Sequence, residues 1–428
     1  MFDEIKETAG RTIIIHPYDK FPDRDSPQSR TPEHRLEEAS GLADAISLEI
    51  IEAIIVPITT IRPATYIGKG KTDEVRSFIK ANDVELAILD CSLSPIQQRN
   101  LEKEWNCKVI DRTALILEIF GSRASTKEGT LQVELAALEY QKSRLVRSWT
   151  HLERQRGGLG SVGGPGETQI ESDRRMISER ITRIKKQLNT VTKTRELHRK
   201  SRQKTPYPIV ALVGYTNAGK STLFNRLTGA KVMAEDMLFA TLDPTMRTVI
   251  LPSGKKIIMS DTVGFISDLP TELVAAFRAT LEEVIEADVI LHVRDISSED
   301  SRAQKNDVVN ILKSLIDEEK IEKATLEILN KIDLINDDSK SNIERKKTSY
   351  ATVSAITGEG CDDLLLRIDE LLKKDQHHIS IDIDSSNGKL IAWVHEYGEN
   401  VQTNYKDSTV HVEADLLQKH FAIFEKMI

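Results

Sequence analysis

Cysteine is scarce in this chain of 428 residues: Cys91, Cys107 and Cys361 stand at no metal-ligand spacing and form no paired framework. That argues against a disulfide-stapled or zinc-held fold and points to a reducing cytoplasm. Long apolar runs are missing too. The most apolar tract, residues 46–58, carries Glu49, Glu52 and Pro57 and falls short of the roughly 20 residues that a membrane helix needs. The opening MFDEIKETAG has no basic segment followed by an apolar one, so it reads as no secretory signal. No repeat with a period of about 20–50 residues is visible, which excludes solenoids and propellers. There is also no basic excess, since the net charge is −8 and nothing global announces nucleic acid. With 39% hydrophobic and 29% charged residues, what remains is a globular protein of about three domains.

Against these absences one stretch stands out. Residues 209–213 are an apolar run that reads as a buried strand. Gly214-Tyr215-Thr216-Asn217-Ala218-Gly219-Lys220-Ser221 follows, then Thr222 and a segment with Leu223, Phe224 and Leu227 at helical spacing. Strand, G-x-x-x-x-G-K-S and helix in that order predict a P-loop rather than a turn that binds nothing. Glycines let backbone N–H groups turn in around phosphate oxygens, and the helix N-terminus adds positive potential. Lys220 can then reach the β- and γ-phosphates, and the Ser221 hydroxyl can ligate Mg²⁺.

Further motifs at strand ends select the nucleotide. Residues 257–259 form a strand ending in Asp261-Thr262-Val263-Gly264; Asp261 suits Mg²⁺ held through water, and the Gly264 N–H suits the γ-phosphate. The strand 326–329 closes with Asn330-Lys331-Ile332-Asp333. The Asp333 carboxylate can accept from guanine N1–H and N2–H₂, donors that adenine lacks in that arrangement. After a strand over 351–353, Ser354-Ala355-Ile356 suits backbone contact with guanine O6. Phe239-Ala240-Thr241-Leu242-Asp243-Pro244-Thr245 lies where a first switch loop belongs, with Thr241 as its Mg²⁺ ligand and Thr245 as the rival. Lys220, Thr241 and Gly264 make up the expected catalytic set. Phe265 stands where many GTPases place a glutamine that orients the attacking water. Phenylalanine cannot do so, and slow, partner-stimulated hydrolysis is the expectation. Asn217 either helps to bind K⁺ between the phosphates or only hydrogen-bonds the loop.

The remaining chain divides around this domain (206–376). Residues 1–128 alternate strands (12–15, 53–56, 86–89, 109–110) with helices (33–47, 72–81, 95–105, 113–120), implying an α/β domain on a mostly parallel sheet. Residues 18–32 read as a polar, mobile insert, and 66–71 as either a phosphate-touching loop or a plain turn. In 129–205, Leu131, Leu135, Leu138, Leu145, Trp149 and Leu152 line one helix face, and Ile177, Ile181, Ile184, Leu188 and Val191 line another. Two such stripes predict an antiparallel helical hairpin, joined by the non-helical glycine loop 157–166. Residues 130–205 hold 17 lysines and arginines against 8 acids. A basic arm presenting a bare loop suits folded RNA better than a merely solvated coil. The candidate RNA-binding set is Arg154, Arg156, Arg174 and Arg175 with Gly157, Gly158, Gly160, Gly163, Gly164 and Gly166. Residues 379–428 read as a small α/β domain. It has strands 379–383 and 409–413, a segment 401–405 pairing with the second, and helices 390–397 and 414–424.

On ATYIGKGK (64–71), LSPIQQRNLE (93–102), VIDRTALILEIF (109–120), EGTLQVELAAL (128–138), PGETQIESDRR (165–175), FATLDPT (239–245) and DTVGFISDLP (261–270), the chain resembles the HflX family of translational GTPases over nearly its full length. The resemblance implies GTP binding and hydrolysis to GDP with Mg²⁺, binding to the large (50S) ribosomal subunit, stimulation by it, and splitting of stalled 70S ribosomes. The hairpin would then probe rRNA near the peptidyl-transferase region. A cytoplasmic monomer without a membrane span, found at ribosomes or a membrane surface, is the matching expectation. The family loop reads closer to GGIGTRGPGE; here Ser161-Val162-Gly163-Gly164 lacks the arginine and adds a glycine. The alternative is a GTP-gated assembly or scaffolding factor on immature large subunits.

Overall fold

The computed structural model describes residues 10–20, 30–155, 165–202, 207–230, 238–239, 245–268, 278–336, 350–374, 376–406 and 408–428. The first unit runs β1 (Arg11–Asp19), α1 (Pro32–Asp44), β2 (Glu49–Ile58), α2 (Lys69–Ala81), β3 (Leu86–Leu89), α3 (Pro95–Trp105), β4 (Lys108–Asp111) and α4 (Arg112–Arg123). Its sheet has the order β2-β1-β3-β4, with every pairing parallel. Ile13, Ile14 and Ile15 are all buried, as a strand covered on both faces requires. Helix starts are written locally. Ser94 caps α3 in a reciprocal box with Gln97, and Asp111 caps α4 by accepting the Ala114 N–H at 2.9 Å.

The expected insert over 18–32 is shorter than its composition suggests. Tyr18 and Asp19 complete β1 against Pro57 and Ile58, Thr31 caps α1, and the Arg30 side chain is buried. Residues 21–29 lie outside the described residues.

Two long helices follow, α5 (Lys127–Gln155) and α6 (Pro165–Arg202). Glu134 pairs with Arg180 and Glu139 with Lys185, which fastens the two helices together. Ile181 and Ile184 are buried between them. A second apolar face on α5 had no counterpart in the leucine stripe: Val133, Ala136, Ala137 and Tyr140 join the core around Ile116 and Phe120 of α4. A helix with two neighbours needs two apolar faces. At the other end, Pro165 and Gly166 open α6 instead of closing the glycine loop; proline's fixed φ suits a first helical turn.

The third unit comprises β5 (Ile209–Gly214), α7 (Lys220–Thr228), β6 (Thr245–Ile250), β7 (Lys256–Asp261), α8 (Arg278–Glu286), β8 (Val289–Asp295), α9 (Ser301–Leu315), α10 (Glu318–Ala324), β9 (Thr325–Asn330), a 3₁₀ turn (Ile332–Leu334), β10 (Tyr350–Thr352) and α11 (Cys361–Lys374). The sheet order is β10-β9-β8-β5-β7-β6, with only β6 antiparallel to its neighbour. Last come β11 (Gln376–Asp384), α12 (Gly388–Tyr397), β12 (Glu399–Lys406), β13 (Thr409–Leu417) and α13 (Gln418–Phe424), with an antiparallel sheet β11-β13-β12. The helix expected from residue 414 starts only at Gln418. Ala414 and Leu416 are buried and pair with β11, so the period there is two, not 3.6.

One apolar core spans the first and third units. Leu42 and Phe120 pack with Tyr215, Phe239, Val263 and Phe265, and Phe120 meets Phe239 edge-to-face at 4.6 Å. Among the described residues no helix is long and apolar enough to cross a membrane.

Candidate nucleotide site

β5 delivers the chain into a loop that only certain residues can follow. Gly219 has φ +86°, and a Cβ there would come within 2.3 Å of the Asn330 amide, so both backbone and space demand glycine. Asn217 is exposed and left-handed at φ 56°. α7 starts at Lys220, and the backbone N–H groups of its first turn face the loop. The Lys220 ammonium is buried and donates to the Tyr215 carbonyl at 2.7 Å. Burial depresses its pKa from 10.5 to about 8, with Asp261 opposing the shift.

Ser221 Oγ donates to the buried Asp261 carboxylate at 2.7 Å. Two hard oxygen groups, one in the first turn of α7 and one at the end of β7, suit Mg²⁺. Thr262 Oγ1 anchors the same turn to the Leu212 carbonyl at 2.6 Å, and Val263 packs in the shared core. Gly264 sits hard against the P-loop: a Cβ would lie 2.9 Å from Thr216 Cα and 3.0 Å from Lys220 Nζ. Beyond it, Phe265 pairs with the P-loop through Thr216 N–H to Phe265 O at 2.7 Å and Phe265 N–H to Gly214 O at 3.1 Å. Its ring is buried in the core.

On the opposite flank, Asn330 ties three segments together. Its Nδ2 donates to the Ala218 carbonyl at 2.8 Å, and its Oδ1 accepts the Ala355 N–H at 3.0 Å. Lys331, left-handed at φ 64°, pairs with Asp295 at 2.7 Å. Asp333 is half-exposed on the 3₁₀ turn. Ser354 is buried, whereas the Ile356 side chain is exposed; Arg226 holds the Ala355 and Ile356 carbonyls. Strand ends thus bring together Gly214–Thr222, Asp261–Gly264, Asn330–Asp333 and Ser354–Ile356.

Phe239 is not among them. Its ring fills the core against Phe120, because an exposed aromatic gains more by burial than beside phosphate. Ala240, Thr241, Leu242 and Asp243 lie outside the described residues, while Thr245 opens β6 opposite Asp261. In the hairpin, Arg156, Gly157, Gly158, Gly160, Gly163 and Gly164 also lie outside them, and only backbone is described at Arg154 and Gly166. Arg174 and Arg175 are exposed on α6, with Arg175 paired to Glu179 at 3.0 Å.

Motif reading missed a charged junction beneath the P-loop. The Tyr215 hydroxyl donates to Glu38 of α1 and accepts the Ser267 N–H at 2.7 Å. Arg30 donates to the same hydroxyl at 2.9 Å and to Asp307 of α9 at 2.5 Å. Arg112 bonds Asp90 at 2.5 Å, Glu38, and the Ser267 carbonyl and hydroxyl at 3.2 and 3.0 Å. Burial alone would lower the Arg112 pKa and lift that of Asp90; their contact reverses both tendencies. Burial and Glu38 together raise the Tyr215 phenol, keeping it neutral. The available signal was an arginine opening an otherwise apolar helix, DRTALILEIF, since a charge on a buried face needs a partner.

Residues 33–121 match the "GTP-binding GTPase N-terminal" family, 123–202 the "GTP-binding GTPase Middle Region", 209–331 the "50S ribosome-binding GTPase" family and 340–427 the "HflX C-terminal domain". The chain is 48% identical to the GTPase HflX of Magnetococcus marinus over 92% of its own length and 89% of that protein's. It is 43% identical to the GTPase HflX of Escherichia coli, over 91% and 89%. Among solved structures, the SsGBP complex with GDP is 25% identical at a TM-score of 0.47, over 84% of this chain and 98% of that one.

Proposed function

From the premise that this chain belongs to the HflX family of GTPases, we propose that it binds the large ribosomal subunit through its basic hairpin and splits stalled ribosomes in a GTP-dependent cycle. Gly214–Thr222 would cradle the phosphates, with Lys220 neutralising charge on the β- and γ-oxygens. Ser221 and Asp261 would hold Mg²⁺, Ser221 directly and Asp261 through water; the ion supplies charge neutralisation across the β- and γ-phosphates when bound. Thr241 is the better candidate for the third Mg²⁺ contact, because Thr245 is committed to the β6 ladder. Asp333 would read guanine, with Asn330 holding the Ala355 amide beside the base edge.

The observation carrying the reading is the Phe265 ring, buried in the core directly after Gly264. The catalytic centre contains no side chain at that position to orient water, so speed must come from a partner. The basic hairpin is the element suited to an RNA partner. Turnover should rise with added large subunits and lose that rise when Gly157–Gly166 is deleted, and 70S particles should separate on a sucrose gradient with GTP. Intact 70S particles and indifferent turnover would refute splitting. Co-sedimentation only with immature subunits would favour an assembly role instead. Potassium near Asn217 belongs to the same proposal: faster turnover in K⁺ than in Na⁺ buffer is expected, and equal rates remove it.

A further inference from the structure

Arg112 lies outside every nucleotide motif, yet it reaches the segment that must move for GTP to be hydrolysed. Its guanidinium bonds both the carbonyl and the hydroxyl of Ser267, three residues beyond Gly264. Glu38, which Arg112 also bonds, accepts the Ser267 hydroxyl at 2.7 Å and the Tyr215 hydroxyl. Tyr215 in turn accepts the Ser267 N–H at 2.7 Å. The second switch is therefore strapped to the P-loop by one buried polar cluster contributed largely by the N-terminal domain.

That strap has a consequence at the phosphate end. Lys220 and Gly264 must both touch the γ-phosphate, but a Cβ on Gly264 would already lie 3.0 Å from Lys220 Nζ. The strap thus holds the second switch close against Lys220, and any lifting of the switch would work against it. Buried hydrogen bonds to charged groups resist such lifting more strongly than exposed ones.

The cluster also has an input. Asp111, the neighbour of Arg112, accepts the Tyr140 hydroxyl at 2.7 Å and the Arg144 guanidinium at 2.5 Å, both from the base of α5. The same carboxylate caps α4, the helix that begins with Arg112. A shift of the hairpin base thus pulls on the N-terminal cap of α4, and with it the guanidinium on Ser267.

We propose that Arg112 is a positioning residue for the second switch, holding it down through Glu38 and the Tyr215 hydroxyl until movement at the hairpin base, relayed by Asp111, releases it. The input half rests on the ribosome-binding reading above; the strap itself does not.

Replacing Arg112 outright would strand Asp90 and Glu38 and risk misfolding, so two single-atom deletions serve better. Tyr215→Phe keeps the ring in the core and removes the hydroxyl. The expected result is a rise of about threefold or more in ribosome-free kcat, KM for GTP within about twofold, and a smaller stimulation factor. Tyr140→Phe cuts the hairpin-base contact far from the nucleotide. It should leave ribosome-free kcat and co-sedimentation with large subunits unchanged while removing about half or more of the stimulation. Unchanged ribosome-free kcat in Tyr215→Phe overturns the strap, and unchanged stimulation in Tyr140→Phe overturns the relay. If the unaltered protein ignores large subunits, the ribosome reading fails and the relay with it. The ribosome-free kcat of Tyr215→Phe then decides the strap alone.

Discussion

The two flanks of the P-loop are built on opposite principles. Toward the base, Asn330 joins three loops with neutral hydrogen bonds, and Asp333 and the Ile356 side chain face outward. Toward the N-terminal domain, Tyr215, Ser267, Glu38, Arg30 and Arg112 are packed into a charged cluster beside a common apolar core. The first flank leaves Asp333, the proposed guanine contact, partly exposed, as recognition of a small ligand would need. The second, on the proposal above, is a latch: its charges are costly to bury and costly to separate. Recognition and timing are thereby separated on either side of one loop.

The largest effect that would test this division is expected at Asp333. Asp333→Ala leaves the switch side untouched, so fluorescent GDP should bind about 100-fold more weakly or worse, with the preference for guanine over adenine lost. Retained guanine preference would mean that the base is read elsewhere.

Next in size is Lys220→Met. The buried Lys220 ammonium is penalised: its folded pKa is about 8, against an ordinary 10.5. A lowered lysine pKa costs stability fully below pH 8, and the cost fades as pH rises from 8 towards 10.5. The methionine variant should therefore unfold later than the parent by roughly 1–3 kcal/mol at pH 7 in the absence of nucleotide. The difference should shrink by pH 10, while GTP turnover is abolished. A destabilised variant would show that the lysine is held by compensating contacts rather than waiting for phosphate.

How far such contrasts were legible in the sequence follows the same division. The base flank and the phosphate cradle depend on residues adjacent in the chain, where strand ends, glycines and a short motif specify geometry locally. α3 is another such case, with its box of Ser94 and Gln97 around Pro95. The latch depends on residues as far apart as Glu38 and Ser267, and no local pattern couples them. Arg30 appeared to belong to a solvated insert because its partners, Tyr215 and Asp307, are contributed by another domain. The second face of α5 escaped notice for a related reason: Ala136 and Ala137 carry little hydrophobic signal until α4 covers them. Strand β13 ran on past Glu413 because β11 offered a partner, overriding a helix-like run of leucines.

The smallest expected effect sharpens the contrast between a latch and mere charge attraction. Arg35 also reaches the second switch, pairing with Asp268 at 2.5 Å, but both side chains are substantially exposed, at 33% and 62%. Water screens such a pair, and exposed bridges contribute about 0–1 kcal/mol. Arg35→Ala should therefore change ribosome-free turnover by less than about twofold, and raising salt should erase the difference. Its value lies in the comparison with Tyr215→Phe, which removes no charge at all but sits inside the buried cluster. If burial makes the latch, the neutral deletion outweighs the charged one. An Arg35→Ala effect as large as that of Tyr215→Phe would mean that long-range attraction between the domains, rather than the buried hydroxyl, holds the switch in place.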